Sequence, residues 1–422
     1  MADFEPGDIN DSVQLVIDGK EIKIAESYEV SIRVLQQPAA FTLRMGWGGT
    51  VADLREQFGP GQKFQLYVGG ARVQSGRIDA VNAPDGKTAQ IEIKGRDWTS
   101  VLFKSAIVDE VSFSERTFLD VTKRVLKICG LEDHPIFGNN DALREMQTHA
   151  VTRIVSTPNA SDQVANQETG LTEIGTIQSV TVQTLVAKVG ETWWQWLQRQ
   201  YKLAGIYLWC AADGSFVISS PDPNQGTSYI IRVKRDQTKL DTTVLSGQLT
   251  NDTTNRYSLY VCHGRYGAGQ AGRSKYTGRF PDDEMIGLGF PETEAWVIYD
   301  NDVKSNKQAE YRARRECAEH RRAGWNLHYT LAGHVVPAKF QKSDLTNWGP
   351  DLIAEVYDDD RGIYENMYIE AVTFARSMEG TTTRVELMRL QDMQWLAEDL
   401  SELRKKDKKV LSGGSPLPRR GH

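Results

Sequence analysis

The sequence predicts a mainly β fold with α+β insertions: two antiparallel barrel- or sandwich-type β-domains joined by smaller helix-containing segments. Three observations carry this. Short runs alternate apolar and polar residues between Gly and Asp turns, the pattern of half-buried strands. Apart from a short stretch at Val51–Phe58, helical periodicity falls in the middle of the chain, one later insertion and the C-terminus. And one strand–turn–strand pattern occurs twice. Ile78-Asp79-Ala80-Val81 parallels Ile369-Glu370-Ala371-Val372. Gly86-Lys87-Thr88-Ala89-Gln90-Ile91-Glu92-Ile93 parallels Gly380-Thr381-Thr382-Thr383-Arg384-Val385-Glu386-Leu387, position for position. Such an internal duplication decides architecture before any other reading does.

The first β-domain spans 1–98. Val13–Ile24 reads as a hairpin turned at Asp18-Gly19. Tyr28–Leu35 sets Val30, Ile32 and Val34 on one face, Pro38 breaks it, and Phe41–Met45 alternates again. Val51–Phe58 predicts a short amphipathic helix. Lys63–Val68, Arg72–Val81 and Thr88–Ile93 complete the domain. Residues 99–190 form a helical and loop-rich connector. Its helices are Trp98–Lys104 and Ser114–Cys129, the second with Ser114 as N-cap, Gly130 as stop and Phe118, Val121, Val125 and Leu126 as buried stripe. Residues 139–176 are polar and aperiodic.

Residues 191–243 form a helix–hairpin unit. A helix over Gly190–Ala204 stops at Gly205, and Ile206–Cys210 turns at Ala212-Asp213-Gly214 into Phe216–Ser219. Trp193, Trp194 and Trp196 cannot all face one core. They are either buried on two sides of a small domain or form a subunit contact, where tryptophan is enriched.

The second β-domain spans 244–392. Arg256–His263 resembles Tyr28–Leu35 in pattern, and Trp325–Gly333 resembles Phe41–Met45, so 264–322 is an insertion. Its first part, 264–291, is rich in glycine and charge. Its second is a helix over Asp302–Arg322, with Asp302 as N-cap and Ala309, Ala313 and Cys317 on the buried side. Arg312, Arg314, Arg315, Arg321 and Arg322 dominate the exposed side, as a solvated basic face or a charged subunit contact. Leu352–Tyr357, Met367–Phe374 and Thr381–Leu390 close the domain. The end, 393–422, holds a short helix over Met393–Leu403, a basic run at Arg404–Lys409, and a Gly/Ser/Pro-rich tail with Arg419-Arg420. That tail is a solvated end or a segment that orders on a partner.

Composition excludes several classes. The 422 residues carry 50 basic and 56 acidic side chains, whereas a dedicated nucleic-acid binder has a basic surplus. Cys129, Cys210, Cys262 and Cys317 lie far apart without a C-x-x-C pair, so a zinc ribbon is excluded and free thiols in a reducing compartment are expected. No apolar run is long enough for a membrane span, and the acidic start lacks a signal-peptide core. Gly267-Ala-Gly269-Gln-Ala-Gly272 spells G-x-G-x-x-G, but no helical period follows to meet a pyrophosphate. Cys317 and His320 have C-x-x-H spacing without a second pair. Cys262 and His263 adjoin on a strand and point to opposite faces. Asp282-Asp283-Glu284 and Asp358-Asp359-Asp360 lack the alternate oxygen spacing of a calcium loop. No nucleophile elbow, zincin motif or glycosidase acid pair occurs. No catalytic residue, cofactor site or metal site is expected.

Three stretches carry a family resemblance: the opening domain through Gly95-Arg96-Asp97-Trp98, the helix–hairpin Glu191–Ser219, and Trp348-Gly349-Pro350 through Leu390. On these the chain resembles the hub proteins of contractile-tail baseplates, the phage Mu-like class. The 139–176 connector and the 264–291 insertion depart from it. The resemblance implies two tube-protein-like β-domains per subunit and a homotrimer that presents six similar domains in a ring. It implies a tail tube or tube-initiator protein on one side and a trimeric central spike on the other. It also implies baseplate wedge proteins at the C-terminal tail, DNA passing a channel without being held, and a place in the virion baseplate after assembly in the host cytoplasm. A phage-derived injection machine would use the same hub. The rival reading is a tail-associated enzyme or carbohydrate-binding component acting on the cell envelope.

Overall fold

The computed structural model describes residues 13–397 apart from 24–25, 35–37, 47–57, 83–89, 115–116, 139–145, 147–148, 157–176, 234–241, 243, 265–275, 302, 304 and 379. The expected helix at Val51–Phe58 (Phe58 excepted), the Gly267–Gly272 string, Asp302 and everything after Ala397 lie outside the described residues.

The first sheet opens with β1 (Val13–Ile17) and β2 (Lys20–Lys23). Asp18 and Gly19 between them have φ of 46° and 80°, the primed turn whose twist matches a hairpin. Then come β3 (Ser27–Arg33), β4 (Ala40–Gly46), β5 (Lys63–Val68), β6 (Ala71–Asn82) and β7 (Gln90–Asp97). Their spatial order is β2-β1-β5-β6-β7-β4-β3. Alternation buries Leu15, Val30, Leu43, Leu66 and Ile93 on one face. β7 runs past the expected Ile93 because the Asp97 carboxylate accepts the Ala39 amide at 2.9 Å, tying the strand's end to β4.

The middle comprises α1 (Thr99–Lys104), β8 (Val111–Phe113), α2 (Phe118–Ile128), β9 (Ile136–Gly138), β10 (His149–Ser156), β11 (Ile177–Ala187), α3 (Trp193–Leu203), β12 (Tyr207–Cys210) and β13 (Phe216–Ser219). Thr117, not Ser114, caps α2, its hydroxyl accepting the Asp120 amide at 3.1 Å. α3 begins later than expected, behind a capping box of Thr192 and Gln195. The three tryptophans are buried on two sides of α3, as the first of the two readings expected; only the expectation that they could not share one core is corrected. They are 3, 7 and 0% exposed and share one core. α3 is embedded from both sides: Trp194 stacks on Phe103 of α1, while Trp193 and Trp196 meet Phe113 of β8.

The second sheet starts earlier than expected, at β14 (Thr227–Val233), followed by β15 (Val244–Asn251). The chain then leaves it. The insertion holds β16 (Leu259–His263), β17 (Thr277–Pro281), α4 (Asp283–Gly287), β18 (Ala295–Tyr299) and α5 (Asn306–Gly324). Its neck is closed by the Asp252 amide on the Gly324 carbonyl at 2.7 Å. Arg256–His263 is therefore inside the insertion and is not the counterpart of β3. Ser305 caps α5. A Cβ on Gly278 of β17 would stand 2.0 Å from the Glu310 nitrogen, so glycine lets helix and strand touch. Ala309, Ala313 and Cys317 are buried as expected.

The arginine face of α5 is the second correction. Arg315 and Arg321 are buried. Arg321 bonds Asp282 at 2.6 Å, Arg322 pairs with Glu370 of the second sheet, and Arg315 reaches the Tyr207 hydroxyl. Acceptors waiting on three neighbouring elements draw these cations inward, where pairing offsets burial.

The chain re-enters the second sheet as β19 (Trp325–Ala332), β20 (Leu352–Asp358), β21 (Ile363–Ser377) and β22 (Gly380–Arg389), and α6 (Leu390–Ala397) follows. The order is β14-β20-β21-β22-β19-β15. Position for position it repeats β1-β5-β6-β7-β4-β3. The one change of sense is at the end: β1 is antiparallel to β5, while β14 is parallel to β20. β3 hydrogen-bonds β21, so among the described residues both halves form one thirteen-stranded sheet over one apolar core.

Candidate assembly interface

The twice-occurring Ile-acid-Ala-Val string is a twice-occurring bulge. The β6–β7 register shifts between Ile78 and Ala80, and the β21–β22 register between Ile369 and Ala371. One extra residue bends the strand and sharpens its twist, and here it is the acidic one each time. Asp79 bonds Arg96 and Lys104, each at 2.6 Å. Burial works to raise its carboxyl, but these cations win and hold it below the usual range. Glu370 pairs with Arg322.

The second shared string is corrected. Ile78 stands opposite Gly95 and Ile369 opposite Leu387, so Gly95, not Ile93, occupies the place of Leu387. A slip of two residues keeps every side chain on its face, which is why the strings still read alike. Cross-strand rows give the true equivalence. Ile78, Gly95, Phe41 and Val30 form one row. Ile369, Leu387, Leu327 and Leu249 form the other. β15 is thus the counterpart of β3, and β6 of β21.

Within the chain these edges meet once. Val30 of β3 lies opposite Phe374 of β21, and the Thr373 hydroxyl donates to Ser31 at 3.3 Å. His334 plugs the junction, buried between the Tyr28 hydroxyl at 2.7 Å and the Thr383 hydroxyl at 3.0 Å. The equivalent edges at the two outer ends have no strand beside them among the described residues. Leu249 is 38% exposed where its counterpart Val30 is 0%, and Leu245 on the same strand is 61% exposed. Ala80 and Val81 are half-buried, whereas Ala371 and Val372 are fully buried. The sequence reading missed β15 because Arg256–His263 has the cleaner alternation. The turn residues Asn251-Asp252 were the available signal.

The sheet face opposite the core is polar and charge-paired. Arg44 and Lys94 both hold Glu92, at 2.9 and 2.7 Å. Arg33 and Arg384 both hold Glu386, at 2.8 and 3.5 Å. Bonds from Lys94 and then Arg44 hold the Glu92 carboxyl down at about 2.

The other candidate residues serve the fold. Asp282 caps α4 and bonds Arg256 and Arg321. Asp358 accepts the Tyr329 hydroxyl at 2.6 Å and the Arg361 guanidinium at 2.8 Å. Cys317 is buried, and His320 faces Glu316 and the Asn255 carbonyl. Cys262 is buried while His263 stacks on Tyr299. All four cysteines are free thiols. Among the described residues no group of three His, Cys, Asp or Glu could hold a metal, and no helix is long and apolar enough to cross a membrane.

Comparison with known proteins agrees with this architecture. Residues 12–97, which hold the whole first sheet, match the family model described as Mu phage baseplate assembly protein GpP-like, N-terminal. The opening domain is similar to the N-terminal domain of the Mu phage baseplate GpP-like proteins. The whole chain is similar to the 43 kDa tail protein of prophage MuSo2 from Shewanella oneidensis, with a TM-score of 0.67 at 19% identity, over 91% of this chain and 100% of that one. It is similar to a tail protein from Neisseria meningitidis, with a TM-score of 0.66 at 19% identity, over 92% and 98%. Prophage tail protein gp18 from Listeria monocytogenes shares the fold more loosely, with a TM-score of 0.51 at 10% identity, over 95% and 100%. No curated protein matches the chain in sequence. The resemblance drawn from the sequence is borne out at the level of a Mu-type phage baseplate or tail protein, and so is the mainly β fold.

Proposed function

We propose that the chain is the structural hub of a contractile-tail baseplate, in a phage or a related injection machine. It forms a homotrimer that joins a sixfold tail tube to a threefold spike. The observation that carries this is the repeated six-strand order, with the two copies already joined edge to edge inside one chain. Closed rings need equivalent interfaces. A subunit that holds two matching sheets and one finished junction, with the halves of a second junction at its ends, repeats head to tail. Three subunits then offer six similar sheets.

The polar sheet face is the candidate channel wall. Phosphate affinity comes from unneutralised Lys and Arg; on this face Glu92 and Glu386 each hold two cations, which halves the charge presented to DNA and leaves an excess of two positive charges in these clusters. In this reading the partial pairing loosens the grip on DNA passing through. The protein acts without catalysis, as a scaffold in the virion baseplate that is assembled in the host cytoplasm. Baseplate wedge proteins dock at its C-terminal tail.

Electron microscopy of the purified protein tests the reading, beside incubation with peptidoglycan. Rings with a threefold axis and six similar lobes, and no released fragments, are the expected result. Fragment release would favour the tail-associated enzyme instead.

A further inference from the structure

We propose that the seam between subunits is an antiparallel pairing of β15 in one copy with the bulged end of β6 in the next, in the register of the β3–β21 junction. The proposal rests on the homotrimer reading and adds to it which strands meet and which residues face each other.

Two independent observations point to these edges. The first is the pair of cross-strand rows. They make β15 equivalent to β3 and β6 equivalent to β21 through three intervening pairings each. The second is burial. Each outer edge is exposed where its inner counterpart is covered, and the shortfall appears on both partners of the missing junction: Leu249 against Val30, and Ala80 and Val81 against Ala371 and Val372. An open strand edge carrying apolar side chains is an aggregation hazard unless something covers it. The occupant that fits is the strand that already covers the equivalent edge, supplied by a second copy.

The register follows from the inner junction. Ser31 faces Thr373, Ile32 faces Val372, and Arg33 faces Ala371. Carried outward, Thr250 faces Asn82, Asn251 faces Val81, and Asp252 faces Ala80 of the neighbouring subunit. Leu249 then sinks beneath the incoming strand as Val30 does beneath β21. The Ser31 and Thr373 side chains meet across the inner junction at 3.3 Å, so Thr250 and Asn82 are the pair to cross-link. Both are exposed in the single chain.

The test is the full-length double variant Thr250→Cys with Asn82→Cys, oxidised and run without reductant, beside mass measurement of the untreated protein. Covalent dimers and trimers are expected, with none from either single variant. None are expected from the slipped pair Gln248→Cys with Asn82→Cys. A trimer by mass that cross-links only in the slipped pair, or in neither, overturns the seam while leaving the hub standing. A monomer by mass overturns both. A second variant guards the result. Leu249→Asp leaves the core untouched and is expected to weaken trimerisation by about tenfold or more, as loss of a buried apolar contact does. Unchanged assembly of that variant contradicts the seam.

Discussion

At the residue scale, three buried carboxyls set the pH response. Burial raises Asp97, Asp351 and Asp392, each to about 6. A carboxyl raised in the folded state holds a proton that the unfolded chain releases. Its favourable contribution is complete below the ordinary carboxylate range and is lost as pH rises through about 6. His320, raised chiefly by its bond to Glu316, acts in the same direction. His328, lowered by burial and Arg384, opposes them. Burial works to raise Glu316, but His320 and Arg312 hold it down to about 2, so its contribution fades only in stronger acid. Thermal unfolding at pH 5 should therefore occur at higher temperature than at pH 7.5. Asp392→Asn should flatten the slope, since each proton is worth about 1.4 kcal/mol per pH unit. Its Oδ1 accepts no hydrogen bond among the described residues and lies 3.7 Å from the Arg321 guanidinium, so the amide keeps the shape and gives up only that ion pair. A melting temperature that rises steadily from pH 5 to 7.5 would contradict this assignment. The paired glutamates make a separate prediction. Glu92→Gln with Glu386→Gln should release Arg33, Arg44, Lys94 and Arg384 and give salt-sensitive retention of DNA, where the native protein shows little. Equal retention by both proteins, read by gel shift at low salt, would remove the charge-pairing argument.

At the scale of elements, the bulged strand is the unit that the sequence spells out best. Ile78 and Ile369 stand just before the two bulges, 2% and 0% exposed. Placing aspartate at either should cost about 4 kcal/mol or more, because it buries an unpaired charge in an apolar core. Soluble expression and an unchanged unfolding midpoint for both variants would tell against the shared role of these strands. Much of the fold was legible here: the Asp18-Gly19 hairpin, the strand at Lys63–Val68, the stripe of α2 and the helix–hairpin all follow from local pattern and turn chemistry. What was not legible has a common cause. Burial of Trp193, Trp194 and Trp196 on two sides follows from their spacing, but that α1 and β8 supply both sides of one shared core does not, because helical periodicity carries no information about those neighbours. Arg315 and Arg321 look solvent-facing from spacing alone, yet acceptors distant in sequence draw them in. β15 lost its counterpart role to β16 because an insertion begins at its end. Local pattern records what a segment can do; the long-range partner decides which option is taken.

At the scale of the molecule, the chain is two copies of a motif that wants to continue. One junction is complete, and each end carries half of another. The assembly edges could not be read from the sequence, since Leu245 and Leu249 look like any alternating strand until the sheet order shows, among the described residues, no strand on the side away from β19. In the proposed trimer two further copies resolve this incompleteness. The most direct test is the mass of the native full-length protein in solution by analytical ultracentrifugation, across a dilution series. The expected result is a closed species of three 47.4 kDa chains that does not grow with concentration. A monomer at every concentration, or an open-ended ladder of larger species, would contradict it.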